Sequence, residues 1–251
     1  MLFLLPPSET KLDGGSVGSR LDVAALSFDE LEGPRRASLA LLDEMSADVS
    51  AAAVALKLGP TQAHEVERNQ QVTVSPTMPA LARYTGVLFD PLDVGLLGDD
   101  AWNWAHRHVV VHSALFGLLR AGDEIPAYRL SHDSKVPGTT LKKLWRGPVS
   151  EVLAGVDELV VDLRSEGYVG LGPTGPRSTY VRVVSDAGDR RRALNHFNKK
   201  SKGLFVRALL TDRPELRDIG DLTHWAHGRG FVLEPGDETV LVAESVLAAS
   251  V

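Results

Sequence analysis

The apolar residues of this chain come in short runs. Leu2-Phe3-Leu4-Leu5, Val109-Val110-Val111 between His108 and His112, and Leu159-Val160-Val161 before Asp162-Leu163 are each too short for a buried helix. Runs of this length, bounded by turn-forming residues, read as buried strands. Tyr180 to Val184 alternates and reads as a half-exposed strand, and residues 239–245 read as a last strand. Helix-period segments lie between them. Residues 34–45 place Leu39, Leu42 and Met45 at helical spacing after Pro34, and residues 46–56 continue as an alanine-rich helix capped by Ser46. A further helix, capped by Thr61, runs to about Asn69, and others occupy 77–84, 99–107, 139–154 and 200–211. Residues 6–19 are too rich in Pro, Gly and Ser to be regular. Interleaved strands and helices predict a mixed α/β fold with a central sheet and flanking helices. No linker divides the chain, so residues 1–251 read as a single domain with the helices of 35–70 as a protruding sub-region.

With 251 residues the chain can bury a substantial core. It has no cysteine, which excludes disulfides, thiolate zinc sites, iron–sulfur clusters and redox-active thiols. Ligand spacing for a metal is also lacking. His108 and His112 flank a strand, and His224 and His227 have no third partner, so no metal and no cofactor is expected. Gly170-Leu171-Gly172-Pro173 reads as a turn and not as a dinucleotide fingerprint. No apolar run approaches the ~20 residues of a membrane-spanning helix. The apolar start stops at Pro6-Pro7 without a basic leader, which predicts a cytoplasmic protein.

The formal net charge of −6 opposes a polyanion, but the charge is segregated. Residues 1–101 are acid-rich, whereas Arg190, Arg191, Arg192, Lys199, Lys200, Lys202 and Arg207 follow one another with no acid between them.

Three constellations are suited to holding an anion. Ser8, Thr10 and Lys11 lie in the loop after the first buried strand, where hydroxyls, an ammonium and backbone N–H groups converge. Ser113, Arg120, Tyr128 and Arg129 follow the second, and the arginines suit bidentate contacts with phosphate or carboxylate. The segment from Asn195, His196 and Phe197 to Arg207 sets Lys199, Lys200 and Lys202 near a helix start, where a bound phosphate would use free N–H groups.

Taken in order, these segments resemble the YaaA peroxide-stress family. Pro6-Pro7-Ser8-Glu9-Thr10-Lys11-Leu12-Asp13 is similar to that family's opening Ser/Pro/Lys/Thr loop. His112-Ser113-Ala114-Leu115-Phe116-Gly117-Leu118-Leu119-Arg120 and Ala127-Tyr128-Arg129-Leu130 resemble its middle signature. Asp162-Leu163-Arg164-Ser165-Glu166-Gly167-Tyr168 and Lys199-Lys200-Ser201-Lys202-Gly203-Leu204-Phe205-Val206-Arg207 resemble its later ones. The resemblance runs from residue 2 to about 232. It adds Ser165 and Tyr168 to the candidate ligand-binding set. It also implies a positively charged cleft, a helix-hairpin-helix element and association with DNA in protection from peroxide. The hairpin element would be residues 46–69, with Leu58 and Gly59 at its tip and Pro60 lacking an N–H.

The leading expectation is therefore a protein without its own chemistry that holds duplex DNA by its phosphates, with little sequence preference. The competing expectation is an enzyme on a small anionic or nucleotide-like substrate, in a pocket of Lys11, Ser113, Arg129, Tyr168 and Lys200. An open basic groove favours the first, and a deep pocket the second.

Overall fold

A computed structural model describes residues 1–185 and 195–249. In chain order its strands are β1 (Leu2–Leu5), β2 (Met78–Pro79), β3 (Val109–Ser113), β4 (Gly117–Arg120), β5 (Glu124–Ile125), β6 (Val160–Asp162), β7 (Ser178–Val184), β8 (Leu233–Glu234) and β9 (Thr239–Val242). Its helices are α1 (Glu32–Ser46), α2 (Val49–Ala55), α3 (His64–Gln70), α4 (Ala80–Arg83), α5 (Asp99–His108), α6 (Leu141–Ala154), α7 (Glu166–Val169), α8 (Asn195–Asp212), α9 (Ile219–Gly228) and α10 (Ala243–Ala249).

β1 is buried at every residue and lies inside a seven-stranded sheet of order β4-β3-β1-β6-β7-β9-β8, third from one edge. The five inner strands are parallel; β4 and β8 close the edges antiparallel. Phe3 stands beside Val109 on one side and Val161 on the other. The chain leaves β1 for β3 and then returns across it to β6. The carboxyl end of β1 is thus a topological switch point, where crevices form in open α/β sheets.

The helices form where the pattern of apolar residues requires. Arg35, Ser38, Leu42 and Met45 make the buried stripe of α1, and Leu141, Trp145, Val149 and Leu153 that of α6. The Thr140 hydroxyl caps α6 by accepting from the Lys143 N–H at 3.1 Å. α5 packs across β1, β3 and β4 and against α8, while α1 and α6 pack on one another. One continuous apolar cluster runs from Met1 to Val246.

Several boundaries differ from expectation. Ser46 ends α1 instead of capping the next helix; Asp48 caps α2 by accepting from Ser50 and Ala51. Its carboxylate sits one residue beyond a backbone that is still helical, so it captures the free N–H groups. Thr61 does not cap α3, which begins only at His64. The final strand stops at Val242 and turns directly into α10, and β4, β5, β8 and α9 had no counterpart in the sequence reading. Residues 46–69 take in α2 and all but the last residue of α3, but a helix-hairpin-helix is not established by them. The Gly59 N–H that such a hairpin would offer to a phosphate donates to Gln62 Oε1 at 2.8 Å. Arg190, Arg191 and Arg192, and the side chains of Asn195, His196 and Phe197, lie outside the described residues.

Candidate functional site

At the carboxyl ends of β1 and β6 a pocket of about 900 Å³ opens beside β7, which continues past the end of β6. The loop after β1 contributes Pro6 to Thr10, and the segment after β6 contributes Leu163, Ser165, Glu166 and Tyr168. Tyr180 and Arg182 enter from β7, and Asn198, Lys199 and Lys202 from α8. Val87, Leu88 and Phe89 supply an apolar wall, and Ser131 and His132 complete it.

Lys199 and Lys202 are three apart on α8 and so share a face, whereas Lys200 turns to solvent. Lys202 is only 3% exposed. Its Nζ donates to the Leu163 carbonyl at 3.0 Å and lies 5.4 Å from the Tyr180 ring centre. Burial pulls its pKa down to about 8, against the opposing attraction of Asp162.

Beneath Ser165 the chain is anchored by a buried ion pair. Arg164 donates to both carboxylate oxygens of Asp162, at 2.9 and 2.7 Å, to the Gly172 carbonyl at 2.9 Å, and to His112 Nδ1 at 2.7 Å. That last bond makes Nδ1 the acceptor, so the ring proton sits on Nε2. His112 Nε2 is buried without a hydrogen-bond partner among the described residues. Burial, and then the Arg164 charge, hold the His112 pKa well below the ordinary value. Tyr168 stacks edge-on to His112 and His132, and burial raises its pKa well above the usual range. His132 approaches so closely that a Cβ on Gly167 would lie 2.5 Å from its Cε1, which accounts for the glycine before Tyr168.

Lys11 does not face the pocket. It is 7% exposed, and its Nζ donates backwards to the Ser8 and Glu9 carbonyls at 2.9 and 3.2 Å, 4.0 Å from the Tyr128 ring centre. Burial first, and the nearby Arg129 charge second, lower its pKa to about 7. Arg129 pairs with the Glu9 carboxylate, and Asn69 brackets its backbone with bonds of 2.7 and 2.8 Å. Ser113 and Tyr128 lie deeper. Ser113 Oγ accepts from the Leu115 and Phe116 N–H groups at 3.0 and 2.9 Å, which occupies its lone pairs. Its proton therefore goes to the Tyr128 hydroxyl at 2.7 Å, and Tyr128 donates to Tyr84 at 2.8 Å.

The structure thus brings Ser8, Thr10, Ser165, Tyr168, Lys199 and Lys202 to one pocket, with Lys11, Ser113, Tyr128 and Arg129 packed behind it. Arg120 and Arg207 are elsewhere. Arg120 lies at the far end of β4 and donates to the carbonyls of His106 and Arg107, at 3.2 and 2.7 Å, at the end of α5. Arg207 donates to the Leu92 carbonyl at 2.6 Å, tying α8 to the turn beside it. Leu58 and Gly59 are not part of the pocket. Sequence reasoning missed His132, Glu166, Tyr180 and Arg182. Only the last two left a signal: they occupy alternate positions on a strand read as half-exposed. Among the described residues no group of three or more His, Asp or Glu side chains is placed to hold a metal, and no helix is long and apolar enough to cross a membrane.

Comparison with known proteins is consistent along the chain. The family model for peroxide stress protein YaaA matches residues 1–236. A UPF0246 protein of Corynebacterium efficiens is 42% identical over 242 residues, covering 93% of this chain and 95% of the relative. A UPF0246 protein of Streptomyces coelicolor is 40% identical over 238 residues, 88% and 90% of the two chains. One from Ruegeria pomeroyi is 30% identical over 150 residues, 55% and 58% of the two.

Proposed function

Because the chain belongs to the peroxide stress protein YaaA family, we propose that it acts in the peroxide stress response by binding a small, phosphate-bearing ligand of nucleotide type in the pocket above β1 and β6. The observation that carries this reading is the composition of one pocket of about 900 Å³. Pro6, Pro7, Val87, Leu88 and Phe89 offer apolar surface, Tyr180 an aromatic face, and Lys199, Lys202, Ser8, Thr10 and Ser165 cationic and hydroxyl donors. A ring system joined to a phosphate matches that division, and the volume is that of a small-molecule site.

Duplex DNA is the second reading. Lys199 and Lys200 favour it, because both are exposed on the second turn of α8, which begins at Asn195 and not after the lysines, and have no ion-pair partner among the described residues. It is the weaker one because other cations are already engaged: Arg129 by Glu9, Arg182 by Glu238, Arg68 by Glu65 and Asp13, and Lys57 by Asp133. Glu166 also lines the same mouth, where it would repel a phosphate backbone.

Calorimetric titration with AMP, beside a labelled duplex at two salt concentrations, tests the choice. The expected result is one saturable AMP site, lost in Lys202→Ala, and negligible duplex binding at physiological salt. Strong duplex binding, with log affinity falling by about 0.9 per phosphate contact against log salt and no response to AMP, would replace this reading with the DNA one.

A further inference from the structure

The loop after β1 is turned in a way that its residue types alone do not reveal. All peptide bonds among the described residues are trans. In a trans peptide the C=O of one residue and the N–H of the next point to opposite sides. The carbonyls of Ser8 and Glu9 both point to Lys11 Nζ. The N–H groups of Glu9 and Thr10 must therefore point away from it. Ser8, Glu9 and Thr10 line the pocket while Lys11 lies behind them, so away from Lys11 means towards the pocket. Neither N–H has an acceptor among the described residues.

The hydroxyls of Ser8 and Thr10 stand beside these donors, 3.2 Å apart, and the Thr85 hydroxyl donates to Thr10 Oγ1 at 3.0 Å. Gly86 closes over them at φ +96°; a Cβ there would lie 3.4 Å from Ser8 Oγ and 3.5 Å from Thr10 Oγ1. Pro6 and Pro7 stiffen the approach, so little ordering remains to be done on binding. The nearest acid, Glu9, is neutralised by Arg129. Successive N–H groups turned to one side make an anion-binding concavity.

We propose that residues 8–10 form an oxyanion cradle, which takes the phosphate oxygens of the ligand on the Glu9 and Thr10 N–H groups and the Ser8 hydroxyl. Lys11 is then the positioning residue that aims the cradle, and not a cation in contact with the ligand. The identification of the anion as phosphate rests on the function proposed above; the cradle itself rests on the loop. An amine that has given up its proton still has two N–H groups, one for each carbonyl that Lys11 holds.

Amide NMR with two probes, inorganic phosphate and AMP, tests the cradle. Phosphate is expected to move the Glu9 and Thr10 amide protons downfield, saturably, in the wild type and in Lys200→Ala. Lys11→Met should weaken phosphate roughly ten-fold, because the Glu9 and Thr10 N–H groups are no longer held in the direction of the anion. If Lys11→Met does not fold, the double variant Ser8→Ala/Thr10→Ala provides the check: affinity falls several-fold while the two amide shifts persist. Phosphate or AMP that moves only resonances near Lys199 and Lys202 overturns the cradle and leaves the proposed function standing. Phosphate that moves Glu9 and Thr10 while AMP binds no better than phosphate supports the cradle and overturns the nucleotide reading. Unchanged phosphate affinity in a folded Lys11→Met variant overturns the role given to Lys11.

Discussion

Lys11 and Lys202 are amines enclosed by the protein, and their burial links stability to pH. The Lys11 pKa falls to about 7 and the Lys202 pKa to about 8, from an ordinary 10.5. Between these values and about 10.5 the unfolded chain binds more protons than the folded one, so stability rises with pH across that window. Below about pH 7 the cost of burying the Lys11 charge is fully present. The stability of the wild type relative to Lys11→Met should therefore increase from pH 7 to 10, as urea midpoints would show; a constant difference would mean that Lys11 stays charged. The Ser113–Tyr128–Tyr84 chain makes a second residue-scale prediction. Tyr128→Phe strands the Ser113 proton in a buried site and should cost about 1–3 kcal/mol. Adding Tyr84→Phe should cost less than it does alone, because its partner has already gone. A double-mutant cycle by chemical denaturation measures this, and strict additivity would contradict the chain.

At the scale of elements, the pocket depends on how α8 meets the segment carrying Val87 to Phe89. Gly203 is the point of closest approach, where a Cβ would lie 2.3 Å from the Leu88 carbonyl oxygen. Backbone cannot yield as a side-chain tip can. Gly203→Ala should therefore push α8 off the apolar wall, lower stability by about 1–3 kcal/mol, and weaken AMP binding without touching a ligand contact. Thermal melts and titration check both effects; unaltered binding would mean that the wall tolerates the shift. The glycine of the late basic motif is thus a packing requirement, while the lysines around it divide between pocket and solvent by helical geometry. The same division governs the arginines. Arg35 donates to the carbonyls of Phe116, Leu26, Ser27 and Leu118, and Arg83 to those of Ile125, Leu12, Gly14 and Pro76. Both are fully buried and join loops to strands.

For the molecule as a whole, one apolar cluster links α1, the sheet and α10, so unfolding should be a single event. Trp104, Trp145 and Trp225 lie on different helices. Their fluorescence and far-ultraviolet circular dichroism are expected to give coincident urea transitions; separated midpoints would divide the chain into independently folding parts. The −6 charge acts at this scale as well. It disfavours long polyanions through the overall field, but a small ligand inside the pocket senses mainly the local donors.

The α/β class and the buried strands β1, β3 and β6 were legible in the sequence, because short β-branched and apolar runs between helix-period stretches leave few other arrangements. The loops after β1 and β3 were legible as strand-end loops for the same reason, whereas the Ser165 segment entered only through the family resemblance. The edge strands β4 and β8 were not legible: Gly117-Leu118-Leu119-Arg120 has no β-branched residue to mark it as a strand, and β8 is only two residues long. Nor could the sequence say which way a polar side chain turns. Lys11, Arg120 and Arg207 carry the same full charge in the chain as Lys199 does. Only the packed structure commits the first three to backbone carbonyls and leaves the fourth at the pocket mouth. The reason is that carbonyls left over at loops and helix ends must find donors once water is removed, and which donor reaches them is set by contacts between residues distant in the chain.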